Sequence, residues 1–155
     1  MRVRVVVLGH RMPDWIESGW NEFARRIPRE WDLSLVELKS EPRDRGKPVA
    51  TLLSLEAERI RGACRGARMI ALDERGTPWS TRALADHLAR WRDDAEDAAF
   101  VIGSADGLDP GLRRDAAACV SLSALTLPHA LVRVILVEQV YRASALLAGH
   151  PYHRD

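Results

Sequence analysis

The sequence is short of cysteine, of lysine and of long apolar runs. Cys64 and Cys119 are its only cysteines in 155 residues, too few for a disulfide framework and in keeping with a reducing cytosol. The longest apolar runs, such as Val5 to Leu8 and Val134 to Val137, fall far below the ~18 residues of a membrane span. The opening MRVRVVVLGH lacks the apolar core and small-residue cleavage site of a secretory leader. Familiar catalytic signatures are missing as well. There is no GxGxxG, no GKS or GKT, and no HExxH, CxxC or GxSxG. Dinucleotide-dependent redox chemistry, P-loop NTPase activity, zinc proteolysis and nucleophile-elbow hydrolysis therefore lose their usual support.

What is present is an ordinary globular composition, 46% hydrophobic and 29% charged. At 155 residues the expectation is one domain spanning residues 1–155, with a core large enough to need no disulfide or metal. Net charge is +1, which excludes a histone-like coat of positive charge but not a local phosphate site. Residues 1–70 hold 14 Lys and Arg against 10 Asp and Glu, so the basic surplus lies there. Only Lys39 and Lys47 among the 23 basic residues are lysine. Arginine suits bidentate phosphate recognition, and a coding bias toward arginine gives the same count.

Strand and helix patterns alternate along the chain. Short β-branched or apolar runs at 2–8, 33–38, 68–72, 99–102 and 119–122 read as strands. Between them, Ile16, Trp20, Phe23 and Ile27 make one helical face, and Leu84, Leu88 and Trp91 another after a Ser80 cap. A helix from Val49 to about Arg65 places Val49, Leu53, Ile60 and Cys64 on or near one stripe, and a short one follows Pro110. The last helix runs from near Pro128 to about Leu147, ended by Gly149. This pattern predicts an α/β fold with a mostly parallel five- or six-stranded sheet and helices on both faces. The final helix is apolar at nearly every angle, so it either threads the middle of the fold or forms a subunit interface. A homodimer is the expectation.

In such sheets ligands sit beyond the C-terminal strand ends. The loops 9–13, 73–79, 103–110 and 123–128 are therefore the ones to inspect. Gly103-Ser104-Ala105-Asp106-Gly107 allows close backbone approach. Leu122 to Pro128 is apolar with two hydroxyls and could wrap a flat aromatic ligand, or serve as a buried crossover. The C-terminal third carries His129, Arg133, Glu138, Tyr141 and Arg142. The tail His150-Pro151-Tyr152-His153-Arg154 combines rings and cations as RNA recognition does. Glu138 and Arg142 stand at i and i+4, the spacing of a helical ion pair. Two tail histidines without a third ligand make a poor metal site, so no metal is expected. His10 and His87 are assigned to ordinary surface or core positions.

Several motifs occur in order along the chain: Gly9-x-x-Met12-Pro13-x-Trp15, Leu72-Asp73-x-x-Gly76, Phe100-x-Ile102-Gly103 and Leu122-Ser123-x-Leu125-Thr126-Leu127-Pro128-His129. Leu131-Val132-Arg133-Val134, Glu138-Gln139-x-Tyr141-Arg142-Ala143 and His150-Pro151-Tyr152-His153-Arg154 follow. Taken together they resemble the ribosomal RNA large subunit methyltransferase H family, small enzymes of the SPOUT class, over the whole chain. The resemblance implies methyl transfer from S-adenosylmethionine to N3 of a pseudouridine in the helix-69 loop of 23S rRNA, on assembled ribosomes. It also implies a C-terminal trefoil knot, a homodimer, a cytoplasmic location and no membrane or DNA partner. Carried across, cofactor contacts would fall on Leu72, Gly103, Ser104 and the segment Leu122, Ser123, Ala124, Leu125, Thr126, Leu127. The substrate side would hold His129, Glu138, Arg142, Tyr152, His153 and Arg154, with His129 as base and Arg142 or Arg154 stabilising the anion. The chain departs from the family at Ser104, where a second glycine is usual. Arg25, Arg26 and Arg29 are expected at the rim of the RNA cleft, near the cofactor loops. Two other readings of the residues stay open: another α/β nucleotide-binding enzyme, and a ribosome-associated module without activity.

Overall fold

Five short apolar runs form one sheet, and the alternation of their side chains divides the core in two. The computed structural model describes residues 1–9 and 12–152. The strands are β1 (Val3–Leu8), β2 (Leu33–Leu38), β3 (Arg68–Pro78), β4 (Ala98–Ile102) and β5 (Ala118–Ser121). The helices are α1 (Asp14–Ala24), α2 (Val49–Ala63), α3 (Thr81–Asp93), α4 (Pro110–Asp115) and α5 (His129–Leu147). The sheet order is β2-β1-β4-β3-β5, and each of these neighbouring strand pairs is parallel. Val3, Val5 and Val7 enter one core with residues of α1, α3 and α5. Val6 and Leu8 enter the other with residues of α2 and α4. A strand buried on both faces needs an apolar run such as Val5 to Leu8.

The last helix lies in the middle of its layer, against the sheet and between α1 and α3. Its inner side, with Leu136, Val137 and Val140, is buried. Packing against α1 is close: a Cβ on Gly19 would stand 3.2 Å from Val134 Cγ1. On the outward side Leu131, Ile135, Glu138 and Arg142 follow one another at helical spacing and remain half-buried. The helix is thus central but not fully enclosed by its own chain. No helix of the described residues is long and apolar enough to cross a membrane.

Three expectations need correction. First, β3 does not stop at Leu72. It continues to Pro78, and both Leu72 and Thr77 stand against Val120 of β5 across a register shift. Asp73-Glu74-Arg75-Gly76 reads as a turn because its side chains are polar, yet its backbone rounds β5. Second, the buried stripe of α2 is Leu52, Glu56, Ala57 and Ile60, while Val49 is exposed. A charged residue inside the stripe shifted the apparent face. Third, Arg25, Arg26 and Arg29 are not beside the strand C-termini. Because α1 runs antiparallel to the strands, its end returns to their N-terminal edge, where Glu22 pairs with Arg25 and Arg26.

His87 on α3 stacks on Trp79, ring centroids 4.0 Å apart, and its Nδ1 accepts from Arg90 Nη2 at 2.8 Å. Burial, and then the Arg90 charge, hold its pKa below the ordinary 6.5. The neutral ring therefore favours the fold, and the unfolded chain takes up the proton first. Stability should fall as pH drops from about 7 to about 5, and His87→Phe should flatten that dependence in denaturant titrations.

Candidate functional site

At the C-terminal strand ends, the end of β3, the turn after β4 and the segment after β5 converge on a cavity of about 330 Å³. Leu72, Gly103, Ser104, Leu122, Ser123, Leu125, Thr126, Leu127 and His129 all line it. Ala124 is exposed and not part of the lining. Loop 9–13 does not contribute among the described residues; Met12 instead borders a separate cavity with Trp20 and Arg133. His10 lies outside the described residues.

Local chemistry explains the shape of the cavity. Ser121 Oγ donates to the Ser123 carbonyl at 2.9 Å, and the Leu125 N–H donates to Ser123 Oγ at 2.9 Å, folding the segment back on itself. Leu125 is left 74% exposed. The turn after β4 is drawn tight, since a Cβ on Gly103 would stand 2.6 Å from the Gly107 carbonyl oxygen. Gly107 has φ +85°, a conformation that side chains disfavour. Leu72, Ile102, Val120 and Val132 supply apolar wall, while Asp73, Glu74 and Asp106 supply acidic groups against Arg75 and His129. Asp73 is tied down by Arg113 at 3.2 Å and by the Arg75 N–H at 2.9 Å. An apolar slot with an acidic rim suits a flat heterocycle carrying a cationic side group.

The remaining substrate-side residues gather elsewhere. Glu138 Oε1 accepts from Arg142 Nε at 2.9 Å and from the Tyr152 hydroxyl at 3.3 Å, while Oε2 accepts from Gln139 at 2.7 Å. The Arg142 guanidinium lies 4.9 Å from the Tyr152 ring centre, and Tyr141 packs on the same ring at 4.6 Å. Arg26, two residues beyond α1, faces Tyr141 at 5.9 Å. Burial, together with Glu138, raises the Tyr152 phenol above its ordinary value. Nine residues of α5 separate Glu138 from His129, about 14 Å at 1.5 Å per residue. Within one chain the tail cluster and the cavity are therefore apart. His153 and Arg154 lie outside the described residues.

Sequence reasoning passed over the part played by Arg133. Its side chain is 1% exposed, donating to Glu37 at 2.8 Å and to the Gly9 carbonyl at 2.9 Å. It fastens the first turns of α5 to the ends of β1 and β2. An arginine at the centre of the apolar run Leu131 to Val137 was the available signal. A larger open groove of about 710 Å³ sits at the opposite end of the sheet, near the starts of β3 and β5. Its charges are mutually paired, Arg61 with Asp115 and Arg68 with Glu96. Burial pushes its Cys64 thiol up to about 11, which leaves little thiolate for chemistry.

A family model described as "Predicted SPOUT methyltransferase" matches residues 1–153. The chain is 51% identical over 155 residues to the ribosomal RNA large subunit methyltransferase H of Nitrosospira multiformis, covering 99% of each chain. Identity to the protein of that name from Variovorax paradoxus is 50%, with complete coverage of both. Among solved structures, a probable methyltransferase from Bordetella pertussis Tohama I is similar with TM-score 0.60 at 21% identity, covering 92% of this chain and 93% of that one. A probable methylase family protein from Haemophilus influenzae Rd KW20 gives TM-score 0.61 at 14% identity, covering 99% and 70%. At those identities the structural likeness bears on the fold.

Proposed function

The chain belongs to the SPOUT methyltransferases, in the family of ribosomal RNA large subunit methyltransferase H, and from that membership we propose its reaction and its working state. It transfers a methyl group from S-adenosylmethionine to N3 of a pseudouridine in the helix-69 loop of 23S rRNA. It acts on assembled ribosomes in the cytoplasm, as a homodimer. The observation that carries this reading is the cavity lined by Leu72, Gly103 and the segment after β5, where an apolar slot, an acidic rim and His129 meet.

The residues present fit the cofactor. Leu72, Ile102 and the segment 122–127 would take the adenine, and Glu74, beside the arginine-paired Asp73 and Asp106, would attract the cationic methionine end. S-adenosylmethionine, when bound, supplies a methyl group on a sulfonium, open to attack by a nucleophilic nitrogen. The N3–H of pseudouridine is a weak acid, so the chain must remove its proton or stabilise the resulting anion. His129, exposed at the cavity edge, is the candidate to take that proton. Arg142, or Arg154, would stabilise the anion, and Tyr152 would stack on the base. The Glu138 carboxylate is occupied by Arg142, Gln139 and Tyr152, so its role is to hold those two substrate-side groups in place.

Family membership also implies that the C-terminal segment is threaded into a trefoil knot. The close passage of Gly76 around Val120 supports this, as does the pairing of both ends of β3 with β5. The homodimer is supported by the uncovered outward stripe of α5 and by Trp15, 62% exposed on α1.

Labelled S-adenosylmethionine should pass its methyl group to 23S rRNA in ribosomes lacking the modification, and not to free nucleosides. Ribosome binding without transfer would favour the inactive module, and tight binding of a different nucleotide without RNA dependence the other enzyme class. His129→Ala should lower the rate about 10²–10⁴-fold and change the shape of the pH–rate profile. An unchanged profile would rule out its role as base.

A further inference from the structure

One arginine outside the cavity joins its most glycine-rich wall to the body of the protein. Arg43 lies in the polar loop between β2 and α2. Its Nη1 and Nη2 both meet the carboxylate of Glu56 on α2, the latter at 3.2 Å. Nη2 also donates to Ser104 Oγ at 2.7 Å, and Nε to Asp106 Oδ2 at 2.9 Å. Ser104 and Asp106 line the cavity, while Glu56 is 1% exposed inside the opposite helix layer. The turn itself has little to hold it: one isolated bridge, in which the Gly107 N–H donates to the Ser104 carbonyl at 2.9 Å.

We propose that Arg43 is a positioning residue for the cofactor, clamping the 103–107 turn to Glu56 so that the cavity wall is in place before the ligand arrives. The proposal rests on the cofactor reading above. Three features support it. A guanidinium presents a planar fork of donors, so one side chain serves Glu56, Ser104 and Asp106 together, which a lysine ammonium on a flexible stem does not. The anchoring carboxylate is buried and also accepts the Glu41 N–H at 2.9 Å, so it is itself fixed. The Ser104 hydroxyl is what the clamp grips, and a glycine there would offer no side-chain acceptor. Ordering the turn in advance removes an entropy cost that binding would otherwise carry.

Removing Arg43 alone leaves Glu56 buried without its partner, which damages the fold for reasons unrelated to the cofactor. The informative protein is the double variant Arg43→Met, Glu56→Gln, which removes both charges together. Binding of S-adenosylmethionine is measured by calorimetry, alongside thermal unfolding and kinetics on ribosomes. The double variant should unfold near the wild-type temperature yet bind S-adenosylmethionine about tenfold more weakly, with the loss in KM for the cofactor and not in kcat. Ser104→Ala, which leaves the Glu56 pair intact, should weaken binding by roughly threefold or more. Wild-type affinity in either variant overturns the proposal, as does a double variant whose kcat and affinity fall together. A wild-type protein that binds no S-adenosylmethionine overturns the cofactor reading itself, and this result is separable because it is seen before any substitution is made.

Discussion

Replacing Gly76 with alanine should lower the unfolding temperature by roughly 6–12 °C and abolish measurable binding of S-adenosylmethionine. A Cβ there would stand 2.6 Å from both the backbone nitrogen and the carbonyl carbon of Val120, and 2.7 Å from the Cys119 carbonyl carbon. Ordinary contact begins near 3.5 Å. The obstacle is main chain, so no rotamer change relieves it; β5 must move away from the end of β3. Overpacking usually costs about 1–3 kcal/mol, and a clash with a paired strand belongs at or above the top of that range. The displaced backbone leads directly into Ser121 to Thr126, the cavity wall, so stability and ligand affinity should fall together. Gly62 provides the control. It lies in α2 with nothing within 4 Å of its would-be Cβ, so Gly62→Ala should be neutral or stabilising by about 0.5–1 kcal/mol. A Gly76→Ala protein that melts and binds like Gly62→Ala would show that β3 does not round β5 so closely.

Gly76 also marks a boundary between what the chain's letters disclose and what they do not. The strand run Val5 to Leu8 is legible because a strand buried on both faces must be apolar at successive positions, and Leu33 to Leu38, at the sheet edge, because its apolar residues are broken only by Ser34 and Glu37, which stay exposed. The central place of α5 is legible for the same reason, its apolar residues occupying nearly every angle. The continuation of β3 through Asp73-Glu74-Arg75-Gly76 is hidden, since this polar tetrapeptide is a bulge between pairing that ends at Leu72 and resumes at Thr77, and no side chain signals it. Glu56 misleads in the opposite way. Its charge argues for solvent, and only a partner thirteen residues back, in an irregular loop, makes its burial tolerable. Loops at the strand ends were identifiable from the α/β pattern, whereas the separation of the tail cluster from the cavity depends on where α5 starts and how the tail folds back. Arg25, Arg26 and Arg29 illustrate this last limit. Their charge was visible, but the end of the sheet they reach follows from helix direction alone.

Two inactive proteins should recover about a quarter of wild-type activity when their chains are mixed and allowed to exchange. The first is His129→Ala, with its lesion at the cavity. The second is Arg142→Ala, with its lesion in the tail cluster. Each alone should be reduced 100-fold or more, if one supplies the proton acceptor and the other the anion's counter-charge. In a single chain these groups stand thirteen residues apart along α5, about 20 Å at 1.5 Å per residue, too far for both to touch one base. A two-fold axis crossing the outward stripe of Leu131, Ile135, Glu138 and Arg142 would set two copies of α5 antiparallel. The tail end of one would then meet the His129 end of the other, and the contact would be isologous. Random pairing of equal amounts makes half of the dimers mixed, and each mixed dimer has one site with both residues intact. That arithmetic gives a quarter of the sites. If each site were built within one chain, every site would keep one lesion and mixing would restore nothing. Recovery therefore separates a shared site from a self-contained one without requiring either variant to retain activity.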